Sequence, residues 1–306
     1  MSLSPLAPLC LTGASGFIGQ RVLERLKTIR AQDVTLLLRE PARLTERSTL
    51  PSWRLVRVDL AKDAIPQGTI PSGAVILHLA AATGSAPPRL MRRLNVDATK
   101  RLLEAATTAG APHFIFVSSI AAGYPDKRWA PYAASKLAAE RVVASGPIPH
   151  TIVRPTIIFG PGSPNQQALE RLATLAVPLL PGQGDVRVQP IHVDDVADVL
   201  IHLVSVEPLQ SIVAVGGPTV LSMHDLLGAI RRAHALPPRE PVRLPLEPLR
   251  RALAIAGGLT ASRLPLSAGQ FVAFANDSVA PGSGQWRLPA PHTSLEAMLA
   301  SRRPDA

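Results

Sequence analysis

The stretch Leu9-Cys10-Leu11-Thr12-Gly13-Ala14-Ser15-Gly16-Phe17-Ile18-Gly19 decides the fold. An apolar run, Pro8–Leu11, leads into three glycines spaced Gly-x-x-Gly-x-x-Gly. A segment with helical periodicity, Phe17–Ile29, follows, with Ile18, Val22, Leu26 and Ile29 on one face. Strand, glycine turn and helix in that order form a phosphate cradle. Glycines let the backbone turn tightly and approach a pyrophosphate, and the helix N-terminus meets its charge. The spacing is one residue wider than the usual dinucleotide fingerprint, but the flanking strand and helix supply its context.

Outward from this stretch the rhythm repeats. Val34–Leu38, Arg54–Val58, Ala74–Leu79, Phe114–Val117 and His150–Val153 are expected strands and read as buried apolar runs. Arg89–Ala109 is expected as one long helix ending at Gly110, and Tyr132–Ser145 as another. The alternation predicts a Rossmann-type, doubly wound parallel α/β sheet covered on both faces. Residues 1–160 are the expected NAD(P)-binding domain, its sheet completed by parts of 185–217. Residues 161–306 are expected to form mainly a small C-terminal substrate-binding lobe, interleaved with it. A helix opens at Ser222, with Asp225 at the capping-box distance.

Composition narrows the classes. Of 306 residues 46 % are hydrophobic, enough for a sizeable core, which excludes a wholly disordered chain. No apolar run reaches the roughly 18 residues of a bilayer span. The formal charge is +10, but the arginines are scattered and aromatics are only 4 %, so no nucleic acid is expected as a partner. Excess positive charge suits an anionic small molecule. Cys10 stands alone in an apolar stretch, reads as a buried core residue, and permits no internal disulfide. No signal peptide is evident, so a cytoplasmic monomer or homodimer is the expectation. No metal is expected.

Three further features carry chemistry. First, Arg39 ends the second strand 20 residues after Gly19. An arginine there accepts the 2′-phosphate of NADP, whereas an acid holds the ribose of NAD. Arg39, with Arg43 assisting, favours NADP, and the adjacent Glu40 keeps NAD as the alternative. Asp59 and Leu60 close the third strand, at a position suited to an adenine edge. Leu79, Ala80 and Ala81 close the fourth, where small residues allow close backbone approach. His78 reads as a satisfied core histidine.

Second, Tyr132 and Lys136 stand four apart, on one face of the expected helix. An ammonium beside a phenol favours phenolate and lowers a pKa that starts near 10. A tyrosine so tuned exchanges a proton near neutral pH. Two tyrosines and five lysines in 306 residues make a chance pairing expected only about 0.03 times. Third, Ser119 stands at the C-terminal end of the fifth strand, 13 residues before Tyr132, placed to hold a reacting oxygen. Ser118 is its rival.

Thr12–Gly19, Ser118-Ser119, Tyr132–Lys136, Arg154-Pro155…Phe159–Gly162 and Ile191–Asp198 together resemble the short-chain dehydrogenase/reductase superfamily. The resemblance is to its NAD-dependent epimerase/dehydratase-like branch and covers at least residues 8–230. It implies that Ser119 polarises the oxygen, Tyr132 is the acid/base, and Lys136 both tunes Tyr132 and binds ribose. It implies Gly13, Ser15, Gly16, Phe17, Ile18, Gly19 and Pro155 at the cofactor, and Asn95 in the family's proton relay. Some of the family's marks are missing. Sugar 4,6-dehydratases of this branch place an Asp-Glu pair where Ile120-Ala121 stand. The arginine of sugar-nucleotide epimerases aligns with Val188, with Arg187 one place off, and the Ser119–Tyr132 segment is short. Val188–Asp195 resembles instead an atypical branch that includes the nucleotide-binding accessory subunit of respiratory complex I, some of whose members have lost catalysis.

The expectation is therefore an NAD(P)-dependent oxidoreductase that reduces a carbonyl on a small or apolar substrate. The alternatives are an NAD-dependent sugar or sugar-nucleotide epimerase, and a non-enzymatic NADP(H)-binding sensor or assembly protein. Pro178, Leu179, Leu180, Phe271 and Phe274 suggest a greasy substrate wall, though core packing explains them equally well.

Overall fold

A computed structural model describes residues 7–41, 44, 49–84, 86–125, 127, 130–249, 271–281 and 289–301. Arg43 lies outside them. The strands are β1 (Leu9–Thr12), β2 (Val34–Leu38), β3 (Arg54–Arg57), β4 (Val75–His78), β5 (Phe114–Val117), β6 (His150–Pro155), β7 (Ile158–Phe159), β8 (Leu179–Pro181), β9 (Arg187–Val188), β10 (Ile191–His192), β11 (Ser211–Val215), β12 (Leu221–Ser222) and β13 (Val242–Leu244). The helices are α1 (Phe17–Thr28), α2 (Pro88–Met91), α3 (Ala98–Thr108), α4 (Pro131–Ala144), α5 (Pro164–Ala173), α6 (Val193–Val204), α7 (Met223–Ala233) and α8 (Leu295–Ala300).

Seven strands pair in parallel in the order β11-β6-β5-β4-β1-β2-β3. The order reverses between β1 and β4, and there the strand ends open a crevice where ligands of such sheets bind. One face of the sheet packs Leu9, Leu11, Leu36 and Leu77 with Val22 and Leu26 of α1 and Val196 and Leu200 of α6. The other face packs Cys10, Ile76, Phe114 and Phe116 with Leu102 of α3 and Val143 of α4. A third apolar cluster joins α5, α7 and α8 through Leu172, Leu226, Ile230 and Met298. Burial pushes the Cys10 thiol up to about 12, as suits a core residue. Among the described residues no helix is long and apolar enough to cross a membrane.

Two elements differ from expectation. β3 is not a buried run: Arg54, Leu55 and Arg57 are exposed, because β3 is the sheet edge and only Val56 turns partly inward. The expected helix from Arg89 is not uniform. It begins as α2, widens into a π-helical turn at Arg92–Asp97, and resumes as α3. The widened turn seats Asn95, whose side chain bonds outside the helix. The stop at Gly110 holds: its φ is 66°, and Ala111 N–H bonds back to the Ala106 carbonyl. At α7, Ser222 Oγ accepts from Asp225 N–H at 3.0 Å, but Asp225 takes the Ser222 hydroxyl at 2.7 Å rather than a backbone N–H.

The run Ile191–Asp198 fastens three parts of the chain. Arg25 of α1 donates to Asp198 at 2.5 Å, and Thr293 N–H donates to buried Asp195 at 3.2 Å. Arg25 thus holds Asp198, Thr293 N–H holds one oxygen of Asp195, and His292 Nδ1 stands 3.1 Å from the other, a clasp between these segments.

A methyl group at Gly19 would lie 2.2 Å from the Gly13 carbonyl oxygen, whereas one at Gly16 would stand 3.2 Å from it. Gly19→Ala should therefore lower stability by about 1–3 kcal/mol and Gly16→Ala by clearly less, read from urea unfolding midpoints. Equal midpoints would contradict this packing.

Candidate active site

Gly13 ends β1 with φ at 76°, in the left-handed region. A Cβ there would fall 2.6 Å from Ala80 N and 2.7 Å from the Leu79 carbonyl carbon. The glycine turn thus lies directly against the end of β4. Gly16 caps α1 without a side-chain acceptor, and the first turn of α1 carries no acidic residue. The helix therefore presents unneutralised N–H groups at the crevice, a cradle suited to an anion. Gly13, Gly16, Phe17, Ile18, Gly19, Leu79, Ala81 and Pro155 line one continuous cleft of about 380 Å³. Ser15 is not among its lining residues; its carbonyl accepts from Gln20 at 3.4 Å. Ala80 meets the turn through its backbone, donating to Thr12 Oγ1 at 3.2 Å.

The cleft continues along the strand ends to Ser119 and Tyr132. Ser119 follows β5 and caps a single turn of 3-10 helix, its hydroxyl accepting from Ala121 N–H at 3.2 Å. Tyr132 sits in the first turn of α4, whose start is set by Pro131. Burial pushes the Tyr132 phenol up to about 12, against a side-chain hydrogen bond with Ser119 that pulls it down.

Lys136 lies one turn on and is buried. Its ammonium donates to the Val117 carbonyl at 2.6 Å and stands 4.2 Å from the Phe116 ring centroid. Burial pushes it down to about 7, with Glu140 opposing. The Tyr132 phenol is raised where a lowering was expected. The Lys136 ammonium is engaged at the end of β5, and desolvation dominates the phenol.

Asn95 exchanges two hydrogen bonds with the backbone of Ala82, at 2.7 and 3.0 Å, and donates to Ser135 Oγ at 2.8 Å. It ties the β4 exit to α4 beneath the cleft. His78 bonds Thr12 at 2.6 Å and Thr99 at 2.9 Å, and burial pushes it down to about 3, a neutral core histidine as expected. Arg39 is exposed at the end of β2, its Nε 3.6 Å from Glu40. Asp59 holds a local turn, accepting from Ala61 N–H at 3.0 Å, and the Leu60 carbonyl accepts from Arg101 at 2.5 Å. Arg39, Asp59 and Leu60 stand outside the described cleft lining.

Several participants escaped sequence reading. Ile157, Ile158, Asn165, Leu169 and Met223 line the far half of the cleft. Of the proposed greasy wall, only Phe274 reaches it, while Leu180 and Phe271 pack in the lobe core. Glu140 forms a buried pair with Arg154, at 2.8 and 2.5 Å, and takes the Ser118 hydroxyl at 2.5 Å. That bond commits the Ser118 hydroxyl to Glu140, although Ser118 and Ser119 both line the cleft. The four-residue step from Lys136 to Glu140 was the available signal.

Comparison with known proteins agrees with this architecture. The chain is 33 % identical over 203 residues to ceramide reductase of Caulobacter vibrioides, covering 63 % of this chain and 59 % of that protein. The chain thus spans under two thirds of that relative's length. It is 26 % identical over 263 residues to dTDP-glucose 4,6-dehydratase of Streptomyces griseus, covering 74 % and 78 %. A double mutant of the Streptomyces venezuelae dTDP-glucose 4,6-dehydratase, solved with NAD bound, superposes with TM-score 0.72 at 20 % identity, covering 96 % and 94 %. A mutant UDP-glucuronic acid 4-epimerase from Bacillus cereus, also solved with NAD, gives 0.72 at 17 % identity, covering 96 % of each chain. These structures share the fold. A family model matches residues 9–216, more than half of the chain, so the glycine cradle, the Ser119–Tyr132–Lys136 group and the clasp at Ile191–Asp198 belong to a member of the NAD dependent epimerase/dehydratase family.

Proposed function

We propose that the chain is an NADP(H)-dependent reductase of a carbonyl on an uncharged, apolar substrate. One observation carries the substrate class. Among the described residues lining the cleft there is no Lys, Arg, His, Asp or Glu; its only ionisable groups are Tyr124 and Tyr132. Beyond the glycine cradle that suits the cofactor, the described lining offers a nucleotide-sugar diphosphate no cation to replace its lost hydration. The epimerase alternative leaned on Arg187 and the Arg154–Gly162 loop; Arg187 is exposed on β9 and outside that lining, and the loop gives the lining only the uncharged Pro155, Thr156, Ile157 and Ile158. Similarity to a protein named ceramide reductase supports a reduction and a lipid-like substrate.

The residues fit a nicotinamide dinucleotide. The cradle at Gly13, Gly16 and Gly19 and the uncapped start of α1, with Phe17 and Ile18, would hold the pyrophosphate. Arg39 would meet a 2′-phosphate, Asp59 and Leu60 the adenine, Leu79–Ala81 and Pro155 the remainder, and Lys136 the ribose hydroxyls. The chemistry supplied by the bound cofactor is hydride transfer to the carbonyl carbon. Tyr132 then delivers its proton to the carbonyl oxygen while the Ser119 hydroxyl holds that oxygen in place. A phenol raised to about 12 keeps its proton at neutral pH, the state a reduction requires. Asn95 keeps α4 and the β4 exit in register, and so positions Tyr132.

Tyr132→Phe should cut turnover of a neutral long-chain ketone by about 10²–10⁴ while NADPH affinity stays unchanged. Steady-state oxidation of NADPH and a nicotinamide fluorescence titration check both halves. Unchanged turnover removes Tyr132 as the acid, and absence of turnover in the wild type across neutral ketones favours the sensor alternative. Arg39→Ala should weaken NADPH binding about tenfold and leave NADH unaltered, since a charge-assisted phosphate contact contributes about 1.4 kcal/mol. Equal losses for both cofactors would remove the 2′-phosphate assignment.

A further inference from the structure

The Glu140–Arg154 pair plays no part in the chemistry above, yet it is the most deeply buried ion pair among the described residues, with side-chain exposures of 4 % and 18 %. Arg154 approaches in forked geometry from β6, and Ser118 donates from the end of β5. Both Glu140 oxygens are therefore fixed. Glu140 stands one helical turn after Lys136 on α4, on the same face. Lys136 is itself sealed: it is 2 % exposed, and its ammonium donates to the Val117 carbonyl. An ammonium so desolvated loses its proton unless a fixed negative charge offsets the loss of water.

We propose that Glu140 is a positioning residue, the buried counter-charge that offsets the burial of the Lys136 ammonium and seats it at the end of β5. Its role in turnover rests on the reductase reading; its electrostatic role does not. The charged and titratable groups around Lys136 are few. From α4 come Tyr132 and Glu140 itself. From β4 comes His78, kept neutral by burial and by the charge on Lys136. From β5 come the Phe116 ring and the Val117 carbonyl, without charge. From β6 comes Arg154, whose charge Glu140 neutralises. Glu140 is thus the anion of the set, and it accounts for the upward influence that opposes burial at Lys136. Ser118 and Arg154 fix Glu140 so that its field falls at a constant place.

The chain has five lysines, so the Lys136 side chain can be followed alone by NMR of protein labelled at lysine Cε, assigned by loss of one signal in Lys136→Arg. The measurement uses the cofactor-free protein, so it is read whether or not the chain reduces a ketone. Lys136 should titrate near neutral pH in the wild type, in keeping with the value of about 7 set by burial against the charge of Glu140. In Glu140→Gln, where Arg154 is left without its partner, the midpoint should fall by at least about one pH unit, and the other four lysines should not move. In Glu140→Gln combined with Arg154→Gln it should lie between the single variant and the wild type. The alkaline limb of the pH profile for NADPH binding should shift the same way. An unmoved Lys136 midpoint in Glu140→Gln would overturn the proposal and leave Glu140 a purely structural residue. If the single variant does not fold, the double variant decides: a midpoint below the wild type supports the proposal, and one equal to or above it overturns it.

Discussion

The rest of the structure depends on the backbone contact between Gly13 and the end of β4. No side chain fits there, because a Cβ would meet Ala80 N at 2.6 Å. That contact brings the β1 turn and the β4 exit together at the point where strand order reverses. It aims the bare N-terminus of α1 into the crevice, and it sets the floor from which the cleft runs to Ser119 and Tyr132. Asn95 holds the same β4 exit from the other side, and it needs a widened helical turn to do so. The crevice and the proton-bearing group are therefore joined through one short piece of backbone.

Burial then sorts the ionisable groups. It neutralises His78, raises Tyr132 and brings Lys136 down toward neutrality. The phenol stays protonated, suiting a proton donor. Lys136 is balanced between the cost of desolvation and the field of Glu140. The cleft itself carries no formal charge among its described residues, so the polar work is done by hydroxyls and backbone groups at one end and the apolar side chains of Ile157, Ile158 and Met223 face the other.

Much of this was legible in the sequence. The glycine spacing, the parallel sheet and the tyrosine–lysine step are local patterns, and local patterns survive without knowledge of the fold. β3 misled because edge strands and central strands share apolar residues, and Arg54 and Arg57 matter only once the edge is known. The Lys136–Tyr132 coupling misled because four-residue spacing gives proximity and not the direction of an ammonium. The Val117 carbonyl takes the ammonium at 2.6 Å. The Glu140–Arg154 pair joins a helix to a strand 14 residues away; the four-residue step from Lys136 points to Glu140, but no composition or periodicity argument selects Arg154 as its partner. The substrate half of the cleft is built from scattered apolar residues of several elements, whose meeting depends on the tertiary fold alone.

The central claim is that this cleft reduces a neutral, apolar carbonyl compound and does not process a nucleotide sugar. The most direct measurement incubates the protein with NADPH and, in separate reactions, a neutral long-chain ketone and a UDP-hexose, following both nicotinamide absorbance and the recovered substrates. The account predicts stoichiometric loss of NADPH with conversion of the ketone to its alcohol, and no change in the UDP-hexose. Epimerised or dehydrated sugar nucleotide, with the ketone untouched, would contradict it.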